Sequence, residues 1–500
     1  MNSAKEFLKI AEKFKLGNLP TESPHPKTQG LSSLAKSDLV GAISLLKDID
    51  IDCLSTLEAK LAEVMVLQED VKKVLSSGGR IFLCGCGATG RLSLALERVW
   101  REHREGDSRV ISFMAGGDVA LISSIEKFED YTEYGARQLM DLGFRQGDML
   151  IASTEGGETP WVIGAVEKAC EVSEVSSYFA YCNPDEVLVS QVERSKNVIL
   201  NKKIKKLNLY TGQMALAGST RMQASTILML GVGLALLYEK ESSDQMKSDF
   251  LKFKKDFLNL DLSLISKLIT SEAGVYQKGD YCHYLCDSHL GISILTDTTE
   301  RAPTFSLRSF ENYHNETQTP SLCYLSYSNH ENSTEAWHKL LGRPPRCIDW
   351  SEVSHLASEE KLLGHLIGKE GILKRNDLIG SKENLFFRIT YQGENISLDF
   401  KEINFSFSKQ KNALFDHILL KMILNIHSTL IMGLLGRYES NIMTWVRASN
   451  NKLIDRTARN VQYLAGSNDV SYEEIIEKIF SLRQNTKEDE ALVLKVLNSL

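Results

Sequence analysis

The sequence predicts an α/β fold: two doubly wound parallel-sheet units in succession, followed by a helical C-terminal region. Three observations predict it. Short, wholly apolar runs end in glycines or small polar residues. Each run is followed by a stretch with helical spacing, and the same order of elements restarts near residue 278. Buried runs that alternate with amphipathic helices call for a parallel sheet covered on both faces.

In the first unit the strands fall at 80–84, 109–114, 148–153 and 177–182, with helices over 92–103, 131–142 and 159–170. The second unit reads as a strand at 280–285, a helix from Gly291 onward, and strands at 321–327 and 346–350. Residues 385–407 alternate apolar and polar side chains around Gln392-Gly393-Glu394-Asn395, which predicts a β-hairpin. A polar, Lys-rich stretch at 239–267 reads as a helix between the halves, and the last ~90 residues as helical. The expected division is an N-terminal helical segment over 1–50, a first domain over 51–245, a second over 246–410 and a C-terminal helical lid over 411–500.

Composition excludes some classes. Hydrophobic residues make up 43% and charged residues 25%, an ordinary globular balance, and 500 residues give room for two or three cores. A net charge of -7 leaves no basic footprint for nucleic acid or an anionic membrane, so neither is an expected partner. The N-terminus lacks the basic-then-apolar order of a signal peptide. The apolar run 227–237 is about half the ~20 residues that span a bilayer, and the stretch 418–436 is interrupted by Lys421, Asn425 and His427. Both read as buried helices. Nine scattered cysteines suit reduced thiols, and the expected location is cytoplasmic. Cys282, Cys286 and His289 match no zinc frame, so no metal and no cofactor is expected.

The strongest local signal is Gly85-Cys86-Gly87-Ala88-Thr89-Gly90-Arg91, directly after a strand and opening a helix. Glycines let backbone N–H groups converge on an anion, and a helix N-terminus adds a favourable partial charge. The pattern is neither a dinucleotide fingerprint nor a Walker loop. Two further clusters are likewise built of small and polar residues. They are Ser153-Thr154-Glu155-Gly156-Gly157-Glu158-Thr159-Pro160, and Gly218-Ser219-Thr220-Arg221 ahead of a long apolar helix. Ser219 and Thr220 suit either N-caps or ligand donors. Three such clusters in one domain point to a phosphorylated sugar.

These motifs resemble a known family. The loop at 85–91, Met114-Ala115-Gly116-Gly117-Asp118, Glu126-Lys127-Phe128-Glu129-Asp130 and Gly218-Ser219-Thr220-Arg221-Met222 are similar to successive motifs of N-acetylmuramic acid 6-phosphate etherases and glucokinase regulatory proteins. So are the opening Thr21-Glu22-Ser23-Pro24-His25-Pro26-Lys27-Thr28, the second-half Asp297-Thr298-Thr299-Glu300-Arg301-Ala302-Pro303-Thr304-Phe305, and Asn450-Asn451-Lys452-Leu453-Ile454-Asp455-Arg456.

The resemblance implies sugar-isomerase (SIS-type), flavodoxin-like domains. Two of them fused behave as an internal pseudo-dimer, so a monomer is expected. It further implies one composite phosphosugar site of Gly87, Ala88, Thr89, Arg91, Glu126, Glu129, Thr154, Glu155, Gly156, Ser219, Thr220, Arg221, Glu300 and Lys452. Two functions follow from it. One is a regulatory-type protein sensing a hexose or aminosugar phosphate such as fructose 6-phosphate, with a sugar kinase as a candidate partner. The other is an etherase-type carbon–oxygen lyase releasing lactate, with Glu126 and Glu300 as its catalytic carboxylates. Departures from the etherase pattern are Val99 for a glutamate, Gln223 for a lysine and Glu158 for an arginine. The second half has Asp287-Ser288-His289-Leu290-Gly291 in place of the glycine-rich loop. Isomerase or deaminase chemistry finds no obvious ring-opening histidine in the first domain.

Overall fold

The computed structural model describes residues 3–11, 16–125, 128–448, 450–466, 470–487 and 490–500. In the first half, β1 (Ile81–Gly85), β2 (Val110–Met114), β3 (Met149–Ser153), β4 (Ser177–Tyr181) and β5 (Ile204–Asn208) form a parallel sheet. Their order is β2-β1-β3-β4-β5. β1, β3 and β4 are buried at every position, as strands covered on both faces must be. β5 is absent from the strands expected on sequence. It sits at the sheet edge, where Lys205 pairs with Asp70 and Lys206 with Asp185, so its pattern is not apolar. Helices α1 (Gly87–His103), α2 (Thr132–Asp141), α3 (Pro160–Val172) and α4 (Gln223–Leu237) cover the faces.

The second sheet has a parallel core with an antiparallel extension. β6 (Tyr281–Cys286) lies parallel to β7 (Cys323–Tyr327) and β8 (Asn384–Gln392), but β8, β9 (Asn395–Phe400) and β10 (Ile403–Ser408) are antiparallel. Two-residue connections at 393–394 and 401–402 can join only antiparallel neighbours. The expected hairpin is therefore a meander grafted onto a three-stranded parallel core.

Residues 346–350 form no strand. Pro344-Pro345 removes ladder donors just before them, and the segment crosses to the first half. There the Asp118 N–H donates to the Arg346 carbonyl at 3.0 Å, and Trp350 packs on Phe128 and Tyr134. Arg343 anchors the crossing: its guanidinium donates to Glu97 and Asp118, and Arg346 donates to Glu97 as well. Burial acts to raise the Glu97 carboxyl, but Arg343 and Arg346 overcome this and hold it at about 2.

A helix over Leu39–Ala59 runs across the expected boundary at residue 50, so no domain begins there. Helix α5 (Gly291–Phe305) and α6 (Ala413–Leu434) pack against each other, and the larger of two hydrophobic cores joins both halves. α6 is long and apolar enough to cross a membrane, yet 414–433 are buried within the protein. It is thus part of the core. Helix α7 (Asn451–Ala465) follows it.

Candidate functional site

The carboxyl ends of β1 and β3 are where a doubly wound sheet leaves room for a ligand. After β1 the chain passes through Cys86, extended, into α1. The Cys86 N–H donates to Thr89 Oγ1 at 3.1 Å, and the Thr89 hydroxyl donates back to the Cys86 carbonyl at 2.9 Å. Gly90 lets α1 lie against the sheet, since a Cβ there would stand 2.6 Å from Met114 Cβ. Gly87, at φ +53° with open space around it, and the half-buried Ala88 form the exposed first turn.

This turn opens on a cavity of about 230 Å³. The structure brings to it Gly87, Ala88, Arg91, Glu129, Thr154, Glu155, Gly156, Ser219, Thr220, Arg221, Glu300 and Lys452. Glu300 comes from α5 of the second half and Lys452 from the start of α7, so the cavity is composite. An adjoining volume of about 370 Å³, partly lined by Ala115, Ile125, Leu307 and Val446, extends it outward.

Several expected roles change. Thr89 does not line the cavity, because its hydroxyl is spent inside the turn. Arg221 reaches the wall, but its guanidinium is committed to Asp297, Ser428 and Thr429. Arg91 is buried and donates to the Leu121 carbonyl at 3.2 Å. Ser219 and Thr220 do not cap α4; Met222 holds the N-cap position without a side-chain bond. The Thr154 hydroxyl is shared with Thr159 at 3.0 Å. Glu126 lies outside the described residues.

Glu22, Ser124 and Arg456 also line the cavity, and sequence reasoning assigns none of them to it. Glu22 and Arg456 stand inside motifs that carry the resemblance, which could have pointed to them, whereas Ser124 carries no sequence signal. Arg456 and Arg459 bind Glu22, tying α7 to the N-terminal segment, and Lys452 donates to Glu158 at 2.8 Å. Burial opposes ionisation of Glu22 and Glu158, but the neighbouring cations win and hold each at about 2. The Lys452 ammonium is raised: burial works against it, but Glu158, Glu22 and Glu129 outweigh that.

Other carboxylates behave oppositely. Burial pushes Glu155 up to about 7, with the Glu300 charge adding to it. Burial also raises Glu129 and Glu300, against Lys452 for the first and Arg91 for the second. The cavity therefore combines a helix N-terminus suited to an anion with a carboxyl, that of Glu155, held near neutral pH.

Residues 61–170 match the family model of the glucokinase regulatory protein N-terminal SIS domain. N-acetylmuramic acid 6-phosphate etherase of Synechococcus sp. (strain CC9902) is 30% identical over 220 residues, 44% of this chain and 65% of that protein. The etherase of Synechocystis sp. (strain ATCC 27184 / PCC 6803 / Kazusa) is 29% identical over 220 residues, 44% of this chain and 67% of that protein. The chain thus spans just under two thirds of the length of the first of these relatives. Among solved structures, tagatose-6-phosphate ketose/aldose isomerase from Escherichia coli aligns with a TM-score of 0.44 and 11% identity, over 79% of this chain and 94% of that one. The motif resemblance agrees with the first of these matches: over those spans the chain is similar to the glucokinase regulatory protein N-terminal SIS domain and to the etherases.

Proposed function

We propose that this protein binds a hexose phosphate in the composite cavity and acts as a ligand-sensing, regulatory-type double SIS protein. One observation carries the reading: Glu300 of the second half and Lys452 of α7 share a cavity with the Gly87-Ala88 turn. A ligand held there contacts three parts of the chain at once. It therefore favours the arrangement in which they meet, which is what a sensor requires. Free cysteines, all nine of them, suit a reducing cytoplasm. Fructose 6-phosphate is one candidate, and a sugar kinase the kind of partner the resemblance implies. Fructose 6-phosphate at about 100 times its Kd is expected to stabilise the protein by ~2.7 kcal/mol, read as a raised melting temperature. Melting curves unmoved by every hexose phosphate would remove the reading.

A second reading is the etherase-type lyase, favoured by the raised carboxyls of Glu129, Glu155 and Glu300. Elimination needs one group to take the proton beside the sugar carbonyl and another to protonate the departing lactate oxygen. A carboxyl held above its ordinary range suits either task. Glu300 and Glu126 remain the proposed pair. Lactate release from N-acetylmuramic acid 6-phosphate, lowered about 10²–10⁴-fold in Glu300→Gln, is the expected outcome of this reading. No lactate at high protein concentration leaves the sensor reading alone.

A further inference from the structure

Glu155 and Glu300 both line the cavity. Glu155 is 9% exposed and Glu300 3%. The Ser225 hydroxyl donates to Glu155 Oε1 at 3.1 Å. Glu300 Oε1 is buried and has no hydrogen-bond partner among the described residues. A buried carboxylate oxygen without a donor is costly, so its partner is to be sought in what enters the cavity.

The cations nearby act on Glu300 through their charge, Arg91 most, but among the described residues none donates a hydrogen bond to its Oε1. The Lys421 ammonium has three N–H groups, and they go to the Arg221 carbonyl, the Thr226 hydroxyl and the Asn425 side-chain oxygen at 2.7, 2.8 and 3.0 Å. Arg221 is held by Asp297, Ser428 and Thr429, and Lys452 by Glu158. Arg91 donates to the Leu121 carbonyl and forms an ion pair with neither carboxylate. What is missing is a compact, multiply donating, positively charged group.

We infer that the phosphosugar this site prefers carries a free amino group, its ammonium seated between Glu155 and Glu300 while the phosphate meets the Gly87-Ala88 turn. The inference rests on the phosphosugar reading and narrows it to a hexosamine phosphate. An ammonium offers three donors and a charge, whereas a sugar hydroxyl offers one donor and none. Beside it, both carboxyls would gain an opposite charge that favours their ionised form. An N-acylated sugar lacks the charge and adds bulk.

The test is calorimetry at pH 7 with glucosamine 6-phosphate, glucose 6-phosphate and N-acetylglucosamine 6-phosphate. Glucosamine 6-phosphate is expected to bind at least about 10-fold more tightly than either of the others, as charge-assisted hydrogen bonds imply. In Glu155→Gln and Glu300→Gln the ratio of amine to hydroxyl affinity is expected to fall toward one. The wild-type ratio decides the matter even where a variant folds poorly. Equal affinities, or preference for the N-acetyl compound, overturn the amine and leave the phosphosugar reading standing. Binding of none of the three overturns the amine, and the phosphosugar reading then stands or falls on the melting curves with fructose 6-phosphate.

Discussion

Replacing Arg343 by methionine is expected to lower stability by about 3–5 kcal/mol, the cost of leaving a buried charge without its partner. Arg343 is 4% exposed, and Glu97 and Asp118 are each 1% exposed. Removing the guanidinium leaves Asp118 with only the Arg346 backbone N–H from this segment and leaves Glu97 with Arg346 and Arg101 of its three arginines. Both carboxylates then sit in the seam between the halves. Urea unfolding followed by far-UV circular dichroism measures the change. Lys252→Ala is the matched control: its pair with Asp256 is 69% and 41% exposed, and such surface pairs contribute about 0–1 kcal/mol. A loss in Arg343→Met no larger than in the control would mean that the crossing segment does not hold the halves together.

Ala88→Asp is expected to weaken hexose phosphate binding by more than about 100-fold while leaving the fold intact. Ala88 is half-buried at the second position of α1 and lines the cavity. An aspartate there stands beside the helix N-terminus, where a negative charge is mildly stabilising, typically by about 0.3–1 kcal/mol. The same charge occupies the field that would otherwise hold a phosphoryl group, and two anions in one partly buried turn repel strongly. Binding and stability should therefore move in opposite directions. A melting temperature that falls along with the affinity would point to simple damage to the turn.

Much of the fold is legible in the residues because buried parallel strands leave an unmistakable apolar run. β1, β3 and β4 can be read this way, and so can the apolar–polar alternation of β8 to β10. β5 cannot, since an edge strand with Lys205 and Lys206 looks like a polar loop. The segment 346–350 misleads because Ile348 and Trp350 are apolar for a different reason: they bury against the other half. The site is legible where motif residues line a wall, as with Gly87, Glu155 and Glu300. It is not where a side chain's partner lies far away in sequence. Asp297, 76 residues on, takes the guanidinium of Arg221, and Glu22 takes Arg456 across 434 residues. Thr89 illustrates a further limit: a hydroxyl in a glycine-rich turn serves the turn or the ligand equally well on paper.

The second half bears on stoichiometry. Where the first half has its glycine-rich turn, β6 leads into Asp287-Ser288-His289-Leu290, and Tyr327 crowds the helix start. A Cβ on Gly291 would stand 2.2 Å from the Tyr327 oxygen, and that hydroxyl donates to the Ser288 carbonyl at 2.6 Å. A phenol in this place fills the space a phosphoryl group would need, so of the described turns after β1 and β6 the Gly87-Ala88 turn is the open one.

Isothermal titration of the intact chain with hexose phosphates puts the composite cavity to its most direct trial. The account expects saturable heat at submillimolar concentrations, one ligand per chain, abolished by Ala88→Asp. Two ligands per chain, unchanged binding in that variant, or no heat with any hexose phosphate would contradict it.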